Sequence, residues 1–532
     1  MALSAVALFI ECLKAYKLFS AAHYINSDLK TFKTKFQIEE TRLTQWGFYW
    51  GYRSSPGECT LDATIDSAGQ NVASTVRLTL QQISTLLKKY AAVSARYDGD
   101  NSSSGSAYTY RGMVWALKDR AALESTIQNL TDFNNGLHQL LPKKSEESLA
   151  QVVACTLTRD NDGSDLDDII AAAASLQYAD AAKLARFKKA YQMLTLAEEQ
   201  QHLHYPPVLS APLLLDASLF KLSTRYSSTD RTFAKFDSSQ YVIIEWRSYH
   251  ASMLSGSQTA QITLRNRVSH LAELMSRRTQ RPEGFNILTC KGYFDQISSE
   301  RFGFVYDLPP NSPCSMPYTL HQLFAESSMP PLGTRFGLAL SLSRTLNLLH
   351  TSGWLHKSIR SNNIAIFQAA ETNRPEFERP YLLGFGFSRP DGYGEATFGE
   401  QSAVASTNQL YRHPEVQGQQ PRRYVAGDDL YSLGLLLLEI ALWMPLAEIE
   451  GRGETTSSQA PLNMTKIKAA VSGLPRRVGT IYKEVVEKCL NFSGGTHQVM
   501  SDQSAAEWSA ERLRNQNSFY WDVVKKLEEC RA

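Results

Sequence analysis

The N-terminal two-fifths of the chain repeats its apolar side chains in steps of three and four residues, with few glycines and no alternation of polar and apolar residues. The clearest repeat lies in residues 115–141, where Leu123, Ile127, Leu130 and Leu137 share one helix face. This period is that of an amphipathic helix with a buried apolar stripe. Similar periods predict helices over residues 2–23, 27–43, 72–97 and 166–196. Residues 1 to about 200 are therefore predicted to form an all-α helix bundle.

The remaining part of the chain mixes strand and helix patterns. Residues 241–247 and 302–308 are short apolar runs typical of buried strands, and residues 335–350 and 433–443 have the pattern of core helices. The fold class predicted for the whole chain is α+β multidomain, with the helix bundle first and a mixed α/β domain after it.

Residues 355–364 read Leu-His-Lys-Ser-Ile-Arg-Ser-Asn-Asn-Ile and resemble the catalytic loop of protein kinases, His-Arg-Asp-Leu-Lys-x-x-Asn. His356, Lys357, Arg360 and Asn363 keep the frame, whereas Ser358 replaces the aspartate that accepts the proton of the attacking hydroxyl. A serine hydroxyl has no carboxylate-like pKa and cannot take that proton near neutral pH. The resemblance therefore implies a kinase-like fold that has lost its catalytic base.

The other kinase motifs follow in order and are degraded in the same sense. Gly384, Phe385 and Gly386 occupy the Asp-Phe-Gly position, so the principal magnesium ligand is missing. Glu415 ends a segment similar to Ala-Pro-Glu, and Asp429 begins one similar to Asp-x-Trp-Ser-x-Gly. The resemblance gives both of these acids structural roles, Asp429 holding the catalytic-loop backbone. No metal ligand set is predicted.

The resemblance also places a nucleotide pocket, formed in this sequence by Glu245, Arg247, Tyr306, Asp307 and Asn363. The simplest register puts Glu245 where the phosphate-binding lysine belongs, and a shift of two residues puts Arg247 there instead. Residues 222–239, where a glycine-rich loop should cover the phosphates, contain no glycine. No cofactor is required by this interpretation, although metal-independent ATP binding stays open. Residues 222–532 are predicted to be a two-lobed pseudokinase domain.

The N-terminal region resembles the HeLo domain of fungal prion-inhibition and heterokaryon-incompatibility proteins. Residues 40–47, Glu-Thr-Arg-Leu-Thr-Gln-Trp-Gly, are similar to that family's Arg-Leu-x-x-Trp-Gly segment, and Lys-Asp-Arg at 118–120 opens a long helix. The chain also begins with an apolar helix, as such domains do. In the family this helix is thought to enter a membrane, which makes the following residues the predicted membrane-active set: Leu3, Val6, Leu8, Phe9 and Ile10. The alternative is a helix buried in the bundle, since about ten apolar residues are too few to span a bilayer.

Charge and cysteine content exclude several other classes. The 55 basic and 53 acidic residues give a net charge of +2 without a dense basic run, so no nucleic-acid partner is predicted. The seven cysteines show no Cys-x-x-Cys spacing, which argues against a zinc site or a disulfide frame. No secretory signal is apparent, and we expect a cytoplasmic protein that is recruited to the plasma membrane on activation.

A helix-bundle effector followed by a pseudokinase is similar to the architecture of mixed lineage kinase domain-like protein. The predicted domains are residues 1–204, a linker at 205–221, and residues 222–532. The expected function is a catalytically inactive regulator of a membrane-active effector, with an upstream sensor or kinase, membrane lipids and further copies of the chain as partners. Two alternatives stay open: a divergent active Ser/Thr kinase that binds ATP, and an interaction scaffold with no membrane activity.

Overall fold

A computed structural model describes residues 4–20, 27–53, 57, 59–94, 120–159, 161, 163–201, 213–227, 230–237, 239–249, 258–276, 281–310, 312, 315–391, 409–417, 422–451, 462–492 and 514–531. The chain divides into two compact units, Met1–Lys189 and Ala190–Ala532. They are called the N-terminal unit and the C-terminal unit below. Residues 202–212, which include part of the predicted linker, lie outside the described residues.

The N-terminal unit is helical throughout most of its described parts, as the apolar period predicts. The helices are α1 Ala5–Ser20, α2 Ser27–Tyr49, α3 Leu61–Ser67, α4 Gln70–Ser94, α5 Arg120–Gln139, α6 Lys143–Arg159, α7 Ser164–Ser175 and α8 Ala179–Gln201, whose last residues belong to the second unit. The stripe residues Leu123, Ile127, Leu130 and Leu137 are buried. They form part of the bundle core, which is the main source of helix stability in a protein.

Two parts of the helix prediction are wrong. The single helix predicted over residues 166–196 is two helices, α7 and α8, because the backbone turns at Gln177, which has a φ of 62°. Neither glycine nor proline marks this turn. Helices α3 and α6 were not predicted, although buried Leu61 and Ile65 in α3, and Leu149 and Val153 in α6, show helical spacing.

The described strands of the C-terminal unit include a five-stranded antiparallel sheet in the order β1-β2-β3-β5-β4. Its strands are β1 Phe220–Ser227, β2 Arg231–Phe236, β3 Gln240–Ser248, β4 Cys290–Gln296 and β5 Arg301–Asp307, with helix α9 Gln258–Ser276 between β3 and β4. Val242, Ile244 and Trp246 point to one face of the sheet and pack with Phe294 and Val305. Because side chains alternate along a strand, Glu245 and Arg247 lie on the opposite face.

The rest of the C-terminal unit is mainly helical and carries small two- and three-stranded sheets. Its elements are β6 Tyr318–Thr319, α10 Leu320–Glu326, α11 Leu332–Thr351, β7 Trp354–Leu355, β8 Ile364–Ile366, β9 Tyr381–Leu382, β10 Arg389–Pro390, α12 Ala426–Leu442, α13 Leu446–Ile449, α14 Met464–Ser472, α15 Pro475–Val478, α16 Thr480–Leu490, a π-helix Tyr520–Val524 and α17 Lys525–Glu529. Helix α12 is buried along almost its whole length and forms the core of this part. The loop 356–363 follows β7 directly and leads into β8.

Candidate functional site

A buried network of polar side chains joins the five-stranded sheet to the loop after β7. Arg231 begins β2 directly opposite Glu245 of β3, and its Nε donates a hydrogen bond to Glu245 Oε2 at 3.2 Å. The other guanidinium nitrogens donate to the Asn362 carbonyl at 2.8 Å and to Asn363 Oδ1 at 2.5 Å. Arg231, Glu245 and Asn363 are each 5 % exposed or less. We call these three residues the Arg231 network.

Glu245 also holds the backbone at Gly384. Its Oε2 accepts a hydrogen bond from Gly384 N at 2.8 Å, and its Oε1 accepts one from Phe385 N at 3.0 Å. These amides open a short 3-10 turn, Phe385–Phe387, and an acid at such a position satisfies N–H groups that have no partner within the turn. Both carboxylate oxygens of Glu245 are therefore engaged within the chain.

Asn363 completes the network on the side of the loop. Its Nδ2 donates to the Ser358 carbonyl at 2.7 Å and to Ser358 Oγ at 2.9 Å. A Cβ atom at Gly384 would lie 2.2 Å from Asn363 Nδ2, and Gly384 has a φ of +88°, a conformation that side chains other than glycine rarely adopt. An aspartate at position 384 does not fit this arrangement.

The remaining residues of the predicted nucleotide pocket have other contacts. Tyr306 is buried, and its hydroxyl lies 3.4 Å from the Met275 sulfur of α9. Asp307 accepts a hydrogen bond from Gln240 Nε2 at 3.0 Å and pairs with Lys291 at 3.6 Å. Arg247 lies beside Gly386, where an added Cβ atom would be 3.7 Å from the Arg247 side chain. The structure therefore brings Glu245 and Asn363 together through Arg231, whereas Tyr306 and Asp307 have separate partners.

Asp429 of α12 holds the backbone of the same loop. Its two oxygens accept hydrogen bonds from His356 N and Lys357 N, both at 2.8 Å, and also contact His350 Nε2 at 3.0 Å and the Tyr424 hydroxyl at 2.8 Å. Burial opposes the charged form, but the contacts with His350 and His356 outweigh it and lower the pKa of Asp429. Lys357 adopts a φ of 68°, so the loop is fixed in a strained conformation.

His356 and Arg360 lie towards the two ends of this loop. Burial lowers the pKa of His356 to about 4, so its ring is neutral at neutral pH, and it packs edge-on against Phe385 at 4.7 Å. Arg360 donates to Asp230 Oδ2 at 3.0 Å, just before β2. The loop is thus tied to the sheet twice, by Arg231 and by Asp230.

Glu415 belongs to a separate ion-pair group. Arg422 donates to Glu415 Oε2 at 2.7 Å and to both oxygens of Asp428, at 2.9 and 2.7 Å. Asp428 also accepts from Val425 N at the start of α12. These contacts fix the segment that precedes α12.

In the N-terminal unit, the segment Arg42-Leu43-Thr44-Gln45-Trp46-Gly47 joins several helices. Arg42 pairs with Glu39 at 3.0 Å inside the bundle and donates to Asn135 at 2.8 Å, and Glu39 also accepts from Thr131, Asn134 and Tyr178. Trp46 Nε1 donates to the Leu137 carbonyl at 3.1 Å. This segment therefore links α2 to α5 by hydrogen bonds. Buried polar groups need such partners because they have lost their hydrogen bonds to water.

Helix α1 packs against α2 at Gly47, where the Phe9 ring contacts the glycine; we call this contact the seat of α1. A Cβ atom there would lie 2.1 Å from Cζ of Phe9, whose ring contacts Tyr52 and Trp46 at centroid distances of 4.7 and 6.4 Å. Asp62 of α3 accepts hydrogen bonds from the amides of Ala5 and Val6 at the start of α1. Leu8 and Phe9 are buried, Val6 and Ile10 are partly exposed, and Leu3 lies outside the described residues. The apolar face of α1 is bundle core in this structure.

Comparison with known families agrees with the motif in the N-terminal unit. Residues 2–112 and 106–169 match the HeLo family, described as prion-inhibition and propagation, so the HeLo prediction is confirmed for this part of the chain. Residues 233–531, more than half of the sequence, match a domain of unknown function, DUF7580. The chain belongs to the DUF7580 family. No curated protein matches it.

The DUF7580 description names no activity, and the kinase-like identity of this region stays a prediction. The sequence motifs include Glu245, Ser358, Asn363 and Gly384 but not Arg231, which hydrogen-bonds to two of them, Glu245 and Asn363. A signal for Arg231 was present: it stands 14 positions before Glu245, opposite it across a hairpin of two predictable strands. The contact with Asn363, 132 residues away, has no signal in one sequence.

The described part of the chain contains neither a metal-ligand cluster nor a membrane-spanning helix. Within those ranges, no group of three or more His, Cys, Asp or Glu side chains is arranged to hold a metal ion. Of the described helices, none combines the length and the apolar character needed to cross a bilayer. In the HeLo region, α1 has 16 residues and a length of about 24 Å, shorter than the roughly 30 Å hydrocarbon layer.

Proposed function

We propose that residues 222–532 of this DUF7580 protein form a two-lobed, kinase-like regulatory unit without phosphoryl-transfer activity. In this proposal the unit controls the HeLo bundle, which acts on membranes in cell-death or self-recognition signalling. The HeLo domain suggests a role related to cell death or heterokaryon incompatibility. The observation that carries the regulatory part is the Arg231 network, because it engages the groups that a phosphoryl-transfer site needs.

Magnesium nucleotide does not fit these residues. Kinase-type transfer needs a metal held by a carboxylate and an asparagine oxygen, together with a lysine at the phosphates. Here the Asn363 oxygen accepts a hydrogen bond from a guanidinium, and a divalent cation at that oxygen would face the positive charge of Arg231. Gly384 offers no side chain, and Glu245 at the proposed lysine position would repel phosphate. The positive charge of Arg231 thus lies where a metal ion would bind, and the negative charge of Glu245 lies where phosphate would bind.

Nucleotide binding and turnover test this part directly. Full-length protein is titrated with ATP by calorimetry, with and without Mg²⁺, and then incubated with γ-labelled ATP. We expect no turnover and no Mg²⁺-dependent binding heat. Turnover that disappears in Asn363→Ala would refute the proposal and support the divergent kinase. Binding of ATP without metal and without turnover would keep the regulatory reading and add a ligand to it.

The effector part depends on the release of α1 from its seat at Gly47. Leu8 and Phe9 are core residues, so they reach a membrane only after α1 leaves the bundle. Ala7 is exposed on the same helix, and a charge there leaves the packing intact while opposing insertion into a lipid interface. Ala171 of α7 is also an exposed alanine and gives a matched control position.

Dye release from anionic liposomes tests the effector part. We expect leakage from a fragment of residues 1–201 and none from full-length protein. Ala7→Glu should reduce the leakage of the fragment several-fold, whereas Ala171→Glu should leave it unchanged. Silence of the fragment would favour the interaction scaffold. Equal loss in both variants would show that added charge alone is responsible. An upstream sensor or kinase and assembly of released bundles complete the proposal.

A further inference from the structure

The segment that leads into β1 lies on the edge of the five-stranded sheet. Leu213–Leu215, within the predicted linker, pairs with Tyr293 of β4 in a parallel bridge between Leu214 and Tyr293. Tyr293 N donates to the Leu213 carbonyl at 2.7 Å, and Leu215 N donates to the Tyr293 carbonyl at 2.8 Å. We call residues 213–219 the strap. It lies beside β4 at the edge of the five-stranded sheet and then leads into β1.

The strap has one apolar anchor. Leu215 packs against the cluster of Val242, Ile244, Trp246, Phe294 and Val305 on one face of the sheet. Leu214 points away and is 54 % exposed. After a short 3-10 turn, Ala217–Leu219, in which Asp216 accepts a hydrogen bond from Ser218 N, the chain reaches Phe220, which stacks on Phe294 at 4.8 Å. At the far end of the strap, Asp237 N donates to the Leu219 carbonyl at 3.0 Å. The contacts with β4 and the apolar cluster come from the first three residues, 213–215, through one leucine side chain and two backbone hydrogen bonds.

Gly292 makes room for the strap. A Cβ atom at position 292 would lie 2.4 Å from the Leu213 carbonyl oxygen and 2.8 and 2.9 Å from the Leu215 side chain. The three nearest atoms all belong to the strap, and one of them is backbone, which cannot move aside by a change of rotamer. Even a methyl group at Gly292 is therefore incompatible with the docked strap. None of the three nearest atoms belongs to β5, so the methyl group has no such clash with the strand paired to β4.

From this geometry we propose that the strap is a detachable clamp, and that its docking at Gly292 keeps the HeLo bundle inactive. The inference rests on the proposed function and names its regulation. In the sequence the strap lies between the HeLo match, which ends at residue 169, and the DUF7580 match, which begins at residue 233. A change that travels along the chain from the DUF7580 region to the bundle therefore passes through the strap. Three residues held by two hydrogen bonds and one side chain can detach while the five-stranded sheet stays folded.

The test uses full-length protein with Gly292→Ala, and with Leu215→Asp as a second variant that removes the anchor from the strap side. The matched control is Gly337→Ala, because an added methyl at Gly337 of α11 meets no atom within 4 Å. Hydrogen exchange of the amides of Leu215 and Tyr293 reports on docking. We expect at least tenfold faster exchange in both strap variants, with unchanged exchange in β3 and β5, and no change in the control.

Liposome leakage then separates the clamp from the proposed function. We expect full-length Gly292→Ala and Leu215→Asp to leak like the fragment of residues 1–201, while wild type and Gly337→Ala stay quiet. Fast exchange at the strap without leakage, beside an active fragment, would overturn the clamp and leave the effector proposal standing. An inactive fragment would overturn both. Slow exchange in both strap variants would refute the geometric argument itself.

Discussion

Introducing a lysine at position 245 should destabilise this protein instead of giving it kinase activity. The kinase resemblance gives Glu245 the place of a phosphate-binding lysine. If this position alone prevented phosphoryl transfer, Glu245→Lys would produce an active enzyme. In the structure, Glu245 is the counter-ion of Arg231 and the acceptor for the amides of Gly384 and Phe385. A lysine there would place a second cation beside a buried guanidinium and leave two amides without their acceptor.

The expected magnitude follows from these contacts. Removing one partner of a buried ion pair costs about 3–5 kcal/mol, and the side chains of Arg231 and Glu245 are only 6 % and 4 % exposed. Two cations about 4 Å apart add repulsion of roughly 4 kcal/mol at an effective dielectric constant of about 20, part of which is relieved when the lysine turns away. We expect Glu245→Lys to lower the free energy of unfolding of the C-terminal unit by at least about 4 kcal/mol, and Glu245→Gln by about 2 kcal/mol.

The matched control reverses an exposed charge in the same unit. Glu484 pairs with Lys526 at 2.7 Å, with side chains 47 % and 38 % exposed. Glu484→Lys should cost no more than about 1 kcal/mol because such pairs contribute little. Urea titration followed by hydrogen exchange of the peptide that contains Gly384 and Phe385 measures the local effect. Wild-type stability in Glu245→Lys, or new ATP turnover, would refute the reasoning.

Two further predictions concern the seat of α1 and a buried acid. Gly47→Val should loosen α1 and lower the stability of the bundle by about 3 kcal/mol because Phe9 cannot yield. Thermal unfolding checks this against Gly136→Ala, where an added methyl meets nothing and should stabilise by about 1 kcal/mol. Burial raises the pKa of Glu439 to about 8, so the protonated acid stabilises the C-terminal unit below about pH 4.5, and this contribution is lost as the pH rises through 8. Urea midpoints should therefore fall between pH 5 and pH 9 in wild type and change less in Glu439→Gln, while an equal fall in both would contradict this assignment.

The helical and strand patterns of the sequence predicted many of the observed helices and strands. Leu123, Ile127, Leu130 and Leu137 are buried as their spacing predicts, and the strand predicted over residues 241–247 lies within Gln240–Ser248. The break at Gln177 could not be predicted, because the backbone turns left-handed there at a residue that carries no turn signal. Tertiary packing on both sides of the turn decides such a break, and a single sequence does not report it.

The sequence indicates several residues of the candidate site but not the contacts that join them. His356, Ser358, Asn363 and Gly384 were found from their spacing, which is local. The contact of Arg231 with Asn363 and that of the strap with β4 were missed because the partners lie far along the chain. Asn363 is 132 residues from Arg231, and Tyr293 lies about 80 residues after Leu213. The strap was also hidden by its composition, since its neighbourhood of prolines is typical of a linker.

The residues of the candidate site depend on each other for their contacts. Gly384 has a positive φ and lies against Asn363, so an aspartate fits at position 384 only if Asn363 moves. Asn363 is held by Arg231, and Arg231 is held in turn by Glu245. Replacement of any one of these three residues leaves a buried charge or amide unsatisfied, which is more costly than keeping the whole network. Under the proposed function, a kinase-type metal site at these positions would therefore require several simultaneous changes, because the residues of the Arg231 network stabilise one another.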